Sequence, residues 1–69
     1  MRRTAVESEA IRSVGYDAGT RTLEVQFASG EVYRYFDVPE AEYRTLLVAD
    51  SKGQCFQARI RDRYRYLRT

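Results

Sequence analysis

The sequence predicts an α+β domain: a three-stranded antiparallel β-meander followed by two α-helices packed on one face. Three observations carry this reading. Residues 22–27, Thr-Leu-Glu-Val-Gln-Phe, alternate polar and apolar side chains at the period of a half-buried strand. Two turn-forming clusters, Asp17-Ala18-Gly19-Thr20 and Ala28-Ser29-Gly30, bracket that run. Beyond Pro39 the apolar spacing changes to that of a helix, with Tyr43, Leu46 and Leu47 and then Phe56, Ile60, Tyr64 and Leu67.

In chain order, residues 1–9 read as an N-terminal arm and 10–69 as a single domain whose tail is basic from about residue 59. Ala10 to Tyr16 is the first strand. Ile11 and Val14 break strict alternation there, which calls for a bend or bulge. Asp17 caps the following turn, and Gly19 is free to take positive φ. The second strand, Thr22 to Phe27, puts Leu23, Val25 and Phe27 on the buried face, and the third spans Glu31 to Val38. Pro39 suits the first turn of a helix reaching about Ala49, with Glu40 and Glu42 as surface charges complementing its dipole. Asp50-Ser51 offers an N-cap for a second helix expected to stop near Asp62. Arginines at 59, 61, 63, 65 and 68 nearly alternate, so the segment after Ile60 also fits an extended run.

Hairpin register decides where Tyr33 and Tyr35 point, because a shift of one residue moves every side chain to the other face. A three-residue loop at Ala28-Ser29-Gly30 sets Tyr33 opposite Val25 and Tyr35 opposite Leu23, beneath the helices; a two-residue loop would set them beside Gln26 and Glu24. The longer loop is favoured, since it places Gly30 where a type I turn with a bulge needs a left-handed residue. Arg34 then shares the open face with Thr22, Glu24 and Gln26, flanked by Val32 and Phe36.

Composition narrows the function. A chain of 69 residues buries only about three-fifths of its unfolded surface, which leaves little material for a deep cleft, so no enzyme and no small-molecule substrate are expected. Histidine is absent and cysteine occurs once, at Cys55, which removes the common general base, an intramolecular disulfide and a structural zinc site; no catalytic, metal or cofactor residues are assigned. Cys55 reads as a small buried side chain beside Phe56. Ser51-Lys52-Gly53-Gln54 reads as an ordinary N-cap before it reads as an anion site. With Met1-Arg2-Arg3 running into charged residues and no long apolar segment, the expected setting is soluble, reducing and cytoplasmic, without membrane attachment.

The net charge of +2 conceals a split. Residues 1–51 carry six arginines against nine carboxylates, whereas 52–69 carry Lys52 and five arginines against Asp62. Such a tail is either a solvated end or a face that seeks phosphate. Two runs spell the same triplet, Tyr33-Arg34-Tyr35 and Tyr64-Arg65-Tyr66, and tyrosine and arginine are frequent anchors of recognition surfaces.

Ser8, Gly15-Tyr16-Asp17, Leu23 with Val25 and Phe27, Gly30, Tyr33-Arg34-Tyr35, Val38-Pro39, Ala49 with Ser51 and Gly53, Phe56, Ile60-Arg61 and Tyr64 follow one another in an order and spacing that resemble a KTSC domain. This small bacterial module is found alone and at the C-terminus of some lysyl-tRNA synthetases. The resemblance spans nearly the whole chain and implies a fold without catalytic residues, for which the synthetase context suggests RNA binding. The tail departs from the pattern, with arginine at most spacing positions between Ile60 and Leu67. Two functions follow as expectations. One is RNA binding, with phosphates on Lys52, Arg59, Arg61, Arg63 and Arg65 and bases stacked on Tyr64, Tyr66 and Arg34. The alternative is a protein-interaction or homodimerisation module using Val32, Arg34 and Phe36 on the open sheet face.

Overall fold

A computed structural model describes residues 2–69. The architecture is α+β, with two helices against an antiparallel sheet, but the sheet has five strands in the order β1-β2-β3-β4-β5, not three. These are β1 (Arg3–Ala5), β2 (Ile11–Asp17), β3 (Thr22–Phe27), β4 (Val32–Tyr35) and β5 (Tyr66–Arg68), with α1 (Glu40–Val48) and α2 (Lys52–Arg59) between β4 and β5. The two additional strands lie at the edges. β1 comes from the stretch read as an arm, whose residue 1 lies outside the described residues, and β5 comes from the basic tail. Each has three exposed residues, too few to show a period. They form because β2 and β4 offer rows of N–H and C=O groups that need partners.

The central hairpins follow from local chemistry. Arg12 is the extra residue of a bulge: Ile11 pairs with Phe27 and Ser13 with Gln26, so Ile11 and Val14 both turn inward despite their odd spacing. In the first turn the Asp17 carboxylate accepts from the Gly19 N–H at 2.9 Å. The left-handed residue is Arg21, with φ of 55°, and not Gly19, because the last position of this four-residue loop must bend the chain back into β3. The second loop has three residues and ends on Gly30 at φ 98°, and Tyr33 accordingly pairs with Val25 and Tyr35 with Leu23. β4 ends at Tyr35 rather than Val38, since Asp37 takes φ of 57° and breaks the extended run. Val38 thereby drops into the core, where its carbonyl accepts from the Tyr16 hydroxyl and its N–H donates to Arg21 O at 2.9 Å.

Both helices begin as expected. Pro39 precedes α1, and the Ser51 Oγ accepts from the Gln54 N–H at 3.3 Å to cap α2. α2 stops at Arg59, short of Asp62. The N–H groups of Ile60 and Arg61 both bond the Phe56 carbonyl, and a turn over residues 60–63 redirects the chain toward β5. The core is Ile11, Val14, Leu23, Val25 and Tyr35 from the sheet, Val38 and Ile60 from connections, Leu46 from α1 and Phe56 from α2. Phe56 meets Phe27 and Tyr35 edge-on at ring separations of 5.2 and 5.4 Å, and Tyr16 stacks on Tyr43 at 5.2 Å, so aromatic pairs join the sheet to both helices.

Candidate functional site

The sheet face away from the helices is occupied by a polar network. Glu24 at its centre is only 4% exposed, and Thr22 and Ser13 are also buried. The Arg3 guanidinium reaches one Glu24 oxygen, and the Arg34 Nε donates to the other at 2.8 Å. Arg3 Nε also donates to Ser13 Oγ at 3.1 Å, and Ser13 Oγ to Gln26 Oε1 at 3.0 Å. Arg3 crosses a whole strand to do this. Its register partner is Gly15, where a Cβ would lie 2.6 Å from the Arg2 carbonyl oxygen and 3.2 Å from Arg3 Cγ, so glycine is what lets β1 close there. Burial would raise the Glu24 carboxyl, but hydrogen bonds from Arg34 and Arg3 outweigh it and hold the group below the usual carboxylate range. Arg34, expected to face a partner, pairs with this carboxylate while its side chain stays 47% exposed.

Two more of the expected cations join the helices to each other. Arg59 grips Glu42 Oε1 with Nε at 2.9 Å and Nη2 at 2.8 Å. Glu42 is buried against α2 and is therefore an inter-helix anchor, a correction to its reading as a surface dipole charge. Glu40 stays at the surface as expected, paired with Arg44 one turn on at 3.1 Å. The Lys52 Nζ donates to the Ala49 carbonyl at 2.9 Å and so closes the end of α1.

The remaining tail residues are arranged differently. Tyr64 is half-buried against the core. Arg65 points at Asp37 across 3.8 Å, with both side chains more than 80% exposed, a weak contact. Among the described residues Arg61 and Arg63 form no ion pair. Tyr66 pairs with Tyr35 across β4 and β5 and stays 58% exposed, its ring 5.5 Å from Tyr33 and 5.6 Å from Tyr35.

Between this aromatic wall and α2 lies an open groove of about 460 Å³, with Tyr33, Tyr66, Phe27 and Phe56 on its walls and Gln57, Arg61 and Asp62 at its rim. Burial pushes the Tyr35 hydroxyl at its floor up to about 12, with Tyr33 and Tyr66 adding to the shift and the nearby Arg61 charge opposing it. Of the eight residues expected to form one surface, Arg34, Lys52 and Arg59 are bonded within the fold, Tyr64 packs, Arg61 and Tyr66 border the groove, and Arg63 and Arg65 are exposed between α2 and β5, Arg65 on the side of Asp37. Gln57 was not singled out from the sequence, and Phe27 and Asp62 were read there only as a buried strand residue and as the lone acid of the tail. The usable signal was register, since Tyr33 and Tyr66 share a face only once β5 exists.

Among the described residues no helix is long and apolar enough to cross a membrane. Comparison with known proteins places this geometry in a family. A protein of Stutzerimonas stutzeri, described as uncharacterized, is 45% identical over 69 residues, covering 99% of this chain and 97% of that one. A lysine–tRNA ligase of Nostoc punctiforme is 38% identical over 60 residues, 87% of this chain but only 11% of the ligase. The crystal structure of a KTSC domain protein from Yersinia pestis superposes with a TM-score of 0.96 at 35% identity, over 99% of this chain and 96% of that one. The family model described as KTSC domain matches residues 7–64, the meander, both helices and the turn that carries Arg61 and Arg63, and the chain belongs to the KTSC domain family.

Proposed function

We propose that this domain binds single-stranded RNA through the turn Arg61 to Arg65 and the exposed face of Tyr66. The observation that carries the reading is the pairing of unspent charge with an open ring: Arg61 and Arg63 have no carboxylate partner among the described residues, and Tyr66, next to them, is 58% exposed. Guanidinium groups bind phosphate oxygens as forks, and an exposed ring supplies a stacking platform that any base can use. Arg65, loosely held by Asp37, adds a third cation. The lysine–tRNA ligases that contain a related segment act on an RNA, which supports the same class of ligand for this chain.

Fluorescence anisotropy with bulk tRNA and with a labelled unpaired RNA, at two salt concentrations, tests it. Three phosphate contacts give a slope of about −2 in log K against log salt on single strands. Replacing Arg61, Arg63 and Arg65 together by alanine should abolish binding while the thermal unfolding curve stays in place. Absence of binding at low salt would sink the reading.

A further inference from the structure

Building on that reading, we infer that the groove beside the turn receives one unstacked base of the RNA and prefers guanine. Its volume of about 460 Å³ falls in the range of small-ligand pockets, roughly 300–1,000 Å³. Tyr33 and Tyr66 stand 5.5 Å apart on its wall with their rings tilted by 44°, and the more exposed ring, Tyr66, is the face on which a planar base stacks.

The choice of base comes from the rim. Asp62 is the single acid between residues 52 and 69, and in a surface meant only for phosphate it is a repulsive charge in the wrong place. It forms no ion pair among the described residues, although arginines stand on either side of it. A carboxylate at a groove mouth accepts two parallel hydrogen bonds. Guanine alone among the four bases presents two adjacent donors, N1–H and the N2 amino group, on its pairing edge; adenine, cytosine and uracil each place an acceptor next to their donor. Arg61, the neighbouring rim residue, matches the guanine acceptors O6 and N7, the commonest specific arginine contact to a base. Asp62 therefore costs general affinity and gives selectivity in return.

Short uridine tracts carrying one central guanine, adenine or cytosine, titrated against the wild type and Asp62→Asn, separate the possibilities. The guanine tract should bind about tenfold more tightly than the others, the effect of one good two-bond base contact. Asp62→Asn should bring that ratio close to one while tightening binding of the plain uridine tract, because a repelling charge is gone. Equal affinity of the wild type for all tracts overturns the groove assignment and leaves the RNA reading standing. A guanine preference that survives in Asp62→Asn also overturns it. No binding of any tract at low salt overturns both.

Discussion

Tyr33-Arg34-Tyr35 and Tyr64-Arg65-Tyr66 are the same three residues, and β4 and β5 lay them partly side by side, with Tyr66 opposite Tyr35. Yet they do different work. In the first, both rings face the helices, Tyr35 is in the core, and Arg34 is held at 2.8 Å by a carboxylate that is itself buried. In the second, Tyr64 packs, Tyr66 leans on the first triplet with more than half its surface in water, and Arg65 stands 3.8 Å from an aspartate as exposed as itself. An arginine becomes part of the fold when its partner is buried, because a buried charge cannot exchange that partner for water. The same arginine facing an exposed acid is free to bind something else.

Tyrosine-to-alanine variants should break this comparison most visibly. Tyr35→Ala removes a buried ring in contact with Phe56 and should cost about 3–5 kcal/mol, enough to unfold much of so small a domain. Tyr66→Ala removes one cross-strand partner at the edge and should cost only about 1 kcal/mol. Urea unfolding measures both, and equal losses would mean that the terminal triplet is as deeply structural as the central one.

Next in size is Glu24→Gln, which keeps the shape but leaves Arg3 and Arg34 without their counter-charge; because both arginines retain access to water, the loss should be roughly 2 kcal/mol. The pH dependence has a definite sign. The folded Glu24 carboxyl lies below its unfolded value of about 4.3, so its contribution is present above that pH and disappears as pH falls through the lower folded value. The wild type should lose stability below about pH 4 more steeply than Glu24→Gln, as read from the urea midpoint at each pH. Superimposable acid profiles would show that the carboxylate is not held ionised by its arginines.

The smallest effect sharpens the contrast. Arg65→Ala should change stability by no more than about 0.5 kcal/mol, while Arg34→Ala should cost about 1 kcal/mol by leaving Glu24 with one partner. RNA affinity should respond in the opposite order.

Much of the fold was legible because its signals are local. The bulge at Arg12 is announced by Ile11 and Val14 three apart, and the hairpin register by Gly30 at the last loop position. Ser51 is recognisable as a cap from its neighbours alone. The site was legible only as a concentration of charge. That view took no account of internal pairing, since Arg34 meets Glu24 ten residues away and Arg59 meets Glu42 seventeen away, separations at which a sequence pattern says nothing about contact. It also took Asp62 only as the single acid of the tail, whereas its interest lies in forming no ion pair among the described residues despite so many arginines.

By itself, then, the sequence determined the β2–β4 meander, its register, both helix starts and the membership in a family, because alternation, turn chemistry and capping act over a few residues. Tertiary structure alone decided that three-residue edges become β1 and β5, which arginines are bound and which remain free, and that Tyr33 and Tyr66 share one groove. Those outcomes depend on ladder groups and carboxylates supplied from distant parts of the chain, and only folding brings them within reach.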